Sequence, residues 1–249
     1  MTRTRGRQRP FWVDAVVLSC VFVIFVTLVG LGVWQVQRLY WKLDLIEAVE
    51  SRANANPIEP PEGPVSSETH AYLRVAVPGT FHHQMTRRIK AITELGPGHW
   101  VLTPLQVDWG HIWVNRGFVP AGTEPSQWNA PAGPVPVFGL LRITEPDGTL
   151  LEKNDPAKDR WVSRDVAALS RAAGLSDAAS YFIDADHSGS PDAWPRGGLT
   201  IVNFRNPHLS YALTWFAMAA LFLGGIAYVI FGRLYHTKDG STAIDDECT

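Results

Sequence analysis

A histidine at the start of the second apolar segment is the residue best placed to bind a metal ion. We predict a helix that begins in the stretch Asn206-Pro207-His208, with Asn206 as the N-cap and Pro207 as the first helical residue. The positive end of the helix dipole would then favour a neutral His208, the form that ligates metals. The residues that follow on the same helix face are Tyr211, Ala212 and Trp215. The pattern also fits an interfacial histidine beside a Tyr/Trp belt that binds no ligand.

A second polar group, at the end of the first apolar segment, could bind a carboxylate. Trp34, Arg38 and Trp41 follow one another at helical spacing, so one helix face presents a guanidinium between two indoles. Arginine pairs with carboxylates in a bidentate manner. The same residues also fit an aromatic belt whose arginine reaches the lipid head groups. The sequence leaves both interpretations open.

Two apolar segments, residues 15–34 and 211–231, are each about twenty residues long, enough to cross ~30 Å of hydrocarbon. Arginines precede the first segment and basic residues follow the second, so we expect both termini in the cytoplasm. Arg38 and His208 would then lie at the same depth in the membrane, at the outer leaflet. The predicted order is a cytoplasmic tail over 1–12, a transmembrane helix over 13–34, an extracytoplasmic domain over 35–206, a transmembrane helix over 207–231 and a cytoplasmic tail over 232–249.

The first apolar segment is interpreted as an uncleaved anchor rather than a signal peptide. Bulky Trp34, Tyr40 and Trp41 stand where a cleavage site would need small residues. The N-terminal tail is also too short for a mitochondrial transit peptide. We therefore expect a multi-pass protein of a bacterial plasma (inner) membrane.

The extracytoplasmic domain has mostly strand-like segments after a Pro- and Glu-rich linker near residues 54–67. A hairpin turn is predicted at residues 108–111, and a helix from Ser163 to Ala173, capped by Ser163 and closed by Gly174. The predicted strands cover residues 71–77, 99–107, 112–119, 135–144, 181–184 and 199–204. The fold class is therefore a β-rich α+β domain, such as a small distorted barrel, flanked by two transmembrane α-helices.

Composition and cysteine content exclude several functional classes. The chain of 249 residues is 46% hydrophobic with a net charge of −2, which excludes a disordered chain and a general nucleic-acid binder. Cys20 and Cys248 form no CxxC, CxxxC or CxxCH motif, which excludes thiol redox chemistry, thiolate copper delivery and covalent haem. Motifs of serine hydrolases, zinc proteases and phosphate-binding loops do not occur. We therefore expect a protein that is not an enzyme.

The histidines of the extracytoplasmic domain are weaker metal candidates than His208. His82 and His83 are adjacent, and adjacent side chains on a strand point to opposite faces, so both could reach one ion only from a loop. His99 and His111 flank the predicted hairpin and could face each other. Cross-strand packing explains that second pair equally well.

Four motifs occur in a fixed order along the chain: GVWQVQR (residues 32–38), GHWVLTPL (98–105), VNRGFVP (114–120) and NPHLSYALTW (206–215). Together with the two apolar segments, they resemble the Surfeit-locus family of cytochrome c oxidase assembly factors. The resemblance covers roughly residues 30 to 225. It implies a membrane chaperone for maturation of the haem–copper oxidase, acting at the largest subunit, with haem a synthase as a further partner.

The resemblance also implies a cofactor and a ligand. Bacterial members of the family are thought to bind haem a through a histidine at the outer end of the second helix, and His208 matches that position. Arg38 as a partner of the haem propionates is our own inference from its residue type. The expected cofactor-binding set is His208, as the haem iron ligand, with Arg38, Trp34, Tyr211 and Trp215.

Two other classes of function compete with haem handling. A scaffold that binds only protein and lipid would hold an oxidase assembly intermediate together without a cofactor. A sensor is disfavoured, because residues 232–249 leave no room for an output domain. Whether the client is a cytochrome c or a quinol oxidase stays open.

Overall fold

The computed structural model describes residues 10–146, 148, 152–200 and 206–242, with residues 233–242 described by their backbone alone. The helices are α1 (Phe11–Ala53), α2 (Ser67–His70), α3 (Val166–Ala173) and α4 (His208–Thr242). The strands are β1 (Arg74–Phe81), β2 (Arg87–Thr93), β3 (Gly96–Val107), β4 (Gly110–Pro120), β5 (Pro134–Ile143) and β6 (Ala178–Ala185). The chain divides into a helical unit, residues 1–46 and 204–249, and a barrel unit, residues 47–203.

The helical unit contains two helices that are long and apolar enough to cross a membrane, α1 and the part of α4 from His208 to Gly232. Most of their large apolar side chains are exposed, as a lipid environment requires. Helix α1 continues well beyond residue 34, because residues 35–53 contain neither Gly nor Pro to end it. Which residues of each helix lie within the membrane stays a prediction.

The six strands of the barrel unit form one sheet in the order β1-β5-β6-β4-β3-β2. An additional antiparallel pairing joins β1 to β3, with Thr80 opposite Gln106 and Phe81 opposite Leu105. This pairing closes β1, β5, β6, β4 and β3 into a ring, and β2 extends from β3. The predicted β-rich domain is therefore a small barrel, in which β4 and β6 are the parallel neighbours.

Alternation along the strands divides the apolar side chains between two clusters. Val114 and Ile183 belong to a cluster contributed by all five strands of the ring. Trp113 and Phe182, the adjacent residues, belong to a second cluster that lies beneath α3 and includes Ile89 of β2. Because neighbouring side chains on a strand face opposite ways, β3, β4 and β6 each contribute to both clusters.

The predicted hairpin is confirmed, with a shorter turn than expected. Strands β3 and β4 pair with Val107 opposite Gly110, so only Asp108 and Trp109 form the turn. Gly110 has φ +149°, and a Cβ there would lie 2.4 Å from the carbonyl oxygen of Asp177. A glycine is therefore required by the close approach of the chain that precedes β6.

Several local predictions were wrong or incomplete. Helix α3 is capped by Asp165, whose side chain accepts from Ala168 N–H at 3.0 Å, because Ser163 Oγ instead accepts from Gly148 N–H at 3.1 Å. Strand β2 was not predicted. Most of the predicted strand at residues 199–204 lies outside the described residues, and Leu199 and Thr200 are not in a strand.

Candidate functional site

The helical unit pairs His208 with a buried glutamine of α1. The distance from His208 Nδ1 to Gln35 Oε1 is 2.7 Å, and Gln35 is 9% exposed. An amide oxygen can only accept a hydrogen bond, so Nδ1–H of the histidine is the donor. The second ring nitrogen, Nε2, then carries the lone pair that a metal ion requires. Among the described residues, Nε2 has no hydrogen-bond partner.

Small residues bring the two helices together near this pair. A Cβ on Gly32 would lie 2.6 Å from Cε1 of the Phe216 ring, so the ring lies directly against the glycine. Ala212 and Ala219 are buried and follow His208 on one stripe of α4. Close approach at small residues is the usual way in which apolar helices pack within membranes.

The start of α4 differs from the prediction by one residue. Tyr211 N–H donates to the carbonyl of Pro207 at 3.3 Å, so Pro207 holds the N-cap position and His208 is the first helical residue. Both polar atoms of the Asn206 side chain are buried without a hydrogen-bond partner among the described residues. Asn206 is therefore not a side-chain cap. His208 still lies in the first turn, as predicted.

The other predicted cofactor-binding residues are not joined to His208 by any hydrogen bond, ion pair or ring contact among the described residues. The guanidinium of Arg38 stacks over the Trp41 ring at 3.9 Å, and both side chains are exposed. Trp34 and Tyr211 are 53% and 54% exposed, and Trp215 is partly buried. The cofactor-binding roles of Arg38, Trp34, Tyr211 and Trp215 stay predictions.

Sequence reasoning missed Gln35, although one local signal could have identified it. Gln35 follows Gly32 by three residues, so the two lie on the same face of α1. A glycine that allows a close helix contact, one turn before a polar amide in an apolar run, indicates a hydrogen bond between helices. The partner of that bond is 173 positions away, and no local pattern predicts it.

His82, His83 and His111 of the barrel unit form hydrogen bonds with different groups, although the His82 and His111 rings lie edge to face at 5.3 Å. His82 Nε2 lies 2.9 Å from Gln106 Oε1, and His83 Nε2 lies 2.9 Å from the carbonyl of Pro131. His99 is opposite Val119 and His111 is opposite Gln106, so the idea that His99 and His111 face each other is wrong. No group of three or more His, Cys, Asp or Glu side chains in the described part of the chain could hold a metal ion.

Asn115 belongs to a buried network that holds three strands together. Its Nδ2 donates to Asp184 Oδ1 at 2.8 Å, and Asp184 Oδ2 accepts from Arg142 and Thr200 at the same distance. Burial alone would lower the pKa of Arg164, but the carboxylates of Asp184 and Glu145 more than offset it and leave that pKa raised. These contacts give Asn115 a structural role within the barrel.

Gly117 is also required by the fold. It has φ +130°, and a Cβ would lie 2.2 Å from the backbone carbonyl carbon of Arg196. Phe118, the next residue, exchanges backbone hydrogen bonds with Arg196 at 2.9 Å in both directions. The chain after β6 therefore lies against β4 at a point where only a glycine fits.

The fold and the site together define a class of membrane protein. Two helices long enough to cross a membrane precede and follow a small β-barrel in the chain, and these helices carry a histidine–glutamine pair. The model of the SURF1 family matches residues 22–220, a span that contains both Gln35 and His208. The chain belongs to the SURF1 family.

Individual relatives agree with this assignment. Surfeit locus protein 1 of Homo sapiens is 35% identical over 228 residues, covering 83% of this chain and 75% of the human protein. The protein of the same name from Rattus norvegicus is 36% identical, covering 80% of this chain and 71% of the rat protein. A SURF1-like protein of Monosiga brevicollis is 34% identical, covering 78% of this chain and 80% of the Monosiga protein.

Proposed function

We propose that this chain is a cytochrome c oxidase assembly factor that holds haem a through His208 while the largest oxidase subunit receives it. The oxidase role rests on membership of the SURF1 family and on the four motifs that carry the resemblance. The haem role rests on one observation, the hydrogen bond from His208 Nδ1 to Gln35 Oε1. In the tautomer that donates this bond, Nε2 is the ring nitrogen that would bind the iron.

The residues present fit haem iron as a cargo. Metal-binding histidines almost always donate their second ring N–H to an acceptor that fixes the ring and raises its basicity, and Gln35 supplies that acceptor. His208 would be the single protein ligand of the iron, which would suit release of the haem to another protein. Haem bound there would supply only its iron as a Lewis acid, and no bond of this chain would be made or broken.

The propionates of haem a need cationic or donor groups. Arg38 presents an exposed guanidinium stacked on Trp41, and no carboxylate pairs with it among the described residues. We propose that Arg38 pairs with a propionate and that Trp34, Tyr211 and Trp215 contact the macrocycle. Lipid head groups are the competing partners of the same exposed side chains.

The proposed location is a bacterial plasma membrane, with both termini in the cytoplasm and the barrel unit outside it. The arginines at positions 3, 5, 7 and 9, with Arg233 and Lys238, support this orientation. The proposed role is non-catalytic. A cofactor-free scaffold is the second candidate, favoured by the exposed apolar surfaces of α1 and α4, which could contact oxidase helices as well as lipid.

An optical spectrum separates the two candidates. The full-length protein, purified from cells that make haem a, should show haem absorbance, and His208→Ala should lose it while purifying in normal amount. His82→Ala is the matched control, because that histidine lies in the barrel unit and contacts Gln106. A wild-type protein without haem that still co-purifies with the oxidase subunit would favour the scaffold.

A further inference from the structure

We propose that the barrel unit contains a carboxylate-binding site built on Arg116, separate from the proposed haem ligand. Arg116 lies on β4 within the VNRGFVP motif, and its side chain is partly buried. The proposed ligand is a carboxylate group, carried either by a small organic acid or by a polypeptide. The inference does not rest on the proposed function, because no residue of the helical unit takes part.

Arg116 differs from Arg74, Arg142 and Arg164, three other partly buried arginines of the barrel unit, in lacking a carboxylate partner. Arg74 lies 2.5 Å from Asp186, Arg142 lies 2.8 Å from Asp184, and Arg164 lies 2.6 Å from Glu145. No Asp or Glu in the described part of the chain lies within ion-pairing distance of Arg116. A buried charge without a counter-charge is costly, so an anion from outside the chain would stabilise this one.

The contacts that Arg116 does make are with neutral groups. Its Nη2 donates to the carbonyl of Asn129, and its guanidinium lies 5.1 Å from the centre of the Phe81 ring. Its Nη1 lies 3.4 Å from His83 Nδ1, and His83 Nε2–H donates to the carbonyl of Pro131. Burial lowers the pKa of Arg116 to about 10. Because that pKa is still well above neutral pH, the guanidinium keeps its charge.

A cavity of about 290 Å³ beside Arg116 contains further donors. It is lined by Arg88, Thr86 and Trp128 as well as by Arg116, and none of its described lining residues is acidic. The indole Nε1–H of Trp128 is buried without an acceptor among the described residues. A buried donor left unsatisfied costs stability, and a carboxylate oxygen would supply the missing acceptor.

The donor set favours a carboxylate over other anions. A guanidinium presents two parallel N–H donors that match the two oxygens of a planar carboxylate. Arg116 also lines a second cavity, of about 380 Å³, whose walls include the apolar Pro136 and Phe138 and also Asp186, a carboxylate that is already paired with Arg74. The apolar part of these walls, next to the partly buried Arg116, suits an acid with a short apolar body better than inorganic phosphate.

Calorimetry on the full-length protein in detergent micelles tests the site with three probes. Propionate represents a free organic acid, the capped peptide acetyl-Gly-Glu-Gly-amide represents a polypeptide, and inorganic phosphate tests the ligand class. The peptide with Gln in place of Glu is the matched control. We expect saturable binding of a carboxylate probe and a shift of the Trp128 indole signal in NMR spectra, identified with Trp128→Phe.

The variants assign that binding to the site. Arg116→Gln should lower the affinity at least tenfold, Arg116→Lys should lower it less, and Trp128→Phe should lower it roughly tenfold through loss of one donor to a charged acceptor. Arg160→Gln removes an exposed arginine that does not line the cavity, and it should change nothing. His208→Ala should bind the carboxylate probes with wild-type affinity, which separates this site from the proposed haem ligand.

Each outcome decides part of the inference. Tighter binding of propionate than of the Glu peptide identifies a free acid as the ligand, and tighter binding of the Glu peptide than of both propionate and its Gln form identifies a polypeptide. Binding of phosphate alone would overturn the ligand class. Absence of binding, or binding that survives both Arg116→Lys and Trp128→Phe unchanged, would overturn the site.

Discussion

Asp184 of the barrel unit and His208 of the helical unit differ in how far the chain itself satisfies their polar atoms. In the barrel unit, Asp184 accepts hydrogen bonds from Asn115, Arg142 and Thr200, so its oxygens are satisfied within the chain. In the helical unit, His208 donates one hydrogen bond to Gln35 and retains a ring nitrogen with no partner among the described residues. A satisfied network stabilises a fold, whereas a group that retains an unused lone pair can bind a ligand.

Removing the centre of the satisfied network should have the largest effect on stability. Asp184→Ala leaves Arg142 without its buried partner, and we expect it to destabilise the barrel unit by about 3–5 kcal/mol. Circular dichroism during urea unfolding measures this change. Asp177→Asn is the control, because that carboxylate is exposed and its contact is with His111. If Asp184→Ala and the wild-type protein have the same urea midpoint of unfolding, the network does not hold the barrel together.

Removing the acceptor from His208 should lower haem affinity without unfolding the protein. We expect Gln35→Leu to weaken haem binding about 10- to 100-fold, because an acceptor at the other ring nitrogen orients the histidine and raises its basicity. Gln35→Glu keeps an acceptor for His208 and should therefore bind haem more tightly than Gln35→Leu does. Haem titration followed by absorbance measures both affinities.

A matched control lies on the same helix. Gln37 is an exposed glutamine of α1, and Gln37→Leu should leave the affinity unchanged. Equal losses in Gln35→Leu and Gln37→Leu would mean that the hydrogen bond to His208 contributes nothing to haem binding.

Separating the helices should weaken the site by a smaller amount. Gly32→Ala places a Cβ against the Phe216 ring, and we expect a several-fold loss of haem affinity as the ring or the helix moves. The double variant Gly32→Ala, Phe216→Ala should recover most of that loss. Gly30→Ala is the control, since no atom lies within 4 Å of a Cβ at that position. A loss in Gly32→Ala that the double variant does not recover would show that packing against Phe216 is not the cause.

The smallest expected effect is a change in the pH dependence of stability. Burial, and secondarily the charge of Arg88, hold the pKa of His99 below its ordinary value. The unfolded chain therefore takes up a proton on His99 at a higher pH than the folded chain does, so stability falls as pH drops below about 6.5. His99→Gln should reduce this loss between pH 7 and pH 5 in thermal melts. An identical pH profile in His99→Gln and wild type would exclude His99 as a contributor.

Local signals predicted much of the barrel. The hairpin between β3 and β4 follows from Gly110, and the end of α3 follows from Gly174, because both glycines adopt positive φ. Strand β2 gave no such signal. It is the last strand of the sheet, and it buries Ile89 between the exposed Arg88 and Lys90, so its composition is that of a solvated segment.

The candidate site was predicted only in part, because its two halves are distant in sequence. His208 was recognisable from its place in the first turn of an apolar helix. Gly32 gives a local signal for Gln35, but the residue that Gln35 contacts lies 173 positions away on α4, and no local pattern predicts it. Arg116 was visible in a motif, but its lack of a carboxylate partner depends on which side chains the folded barrel brings near it.

The most direct test of haem binding through His208 is the absorbance spectrum of His208→Ala, purified from cells that make haem a. We expect wild-type protein and His82→Ala to show equal haem per protein, and His208→Ala to show little or none at the same yield. Retention of full haem by His208→Ala, with loss of haem in a histidine variant of the barrel unit, would contradict the assignment of His208 as the iron ligand.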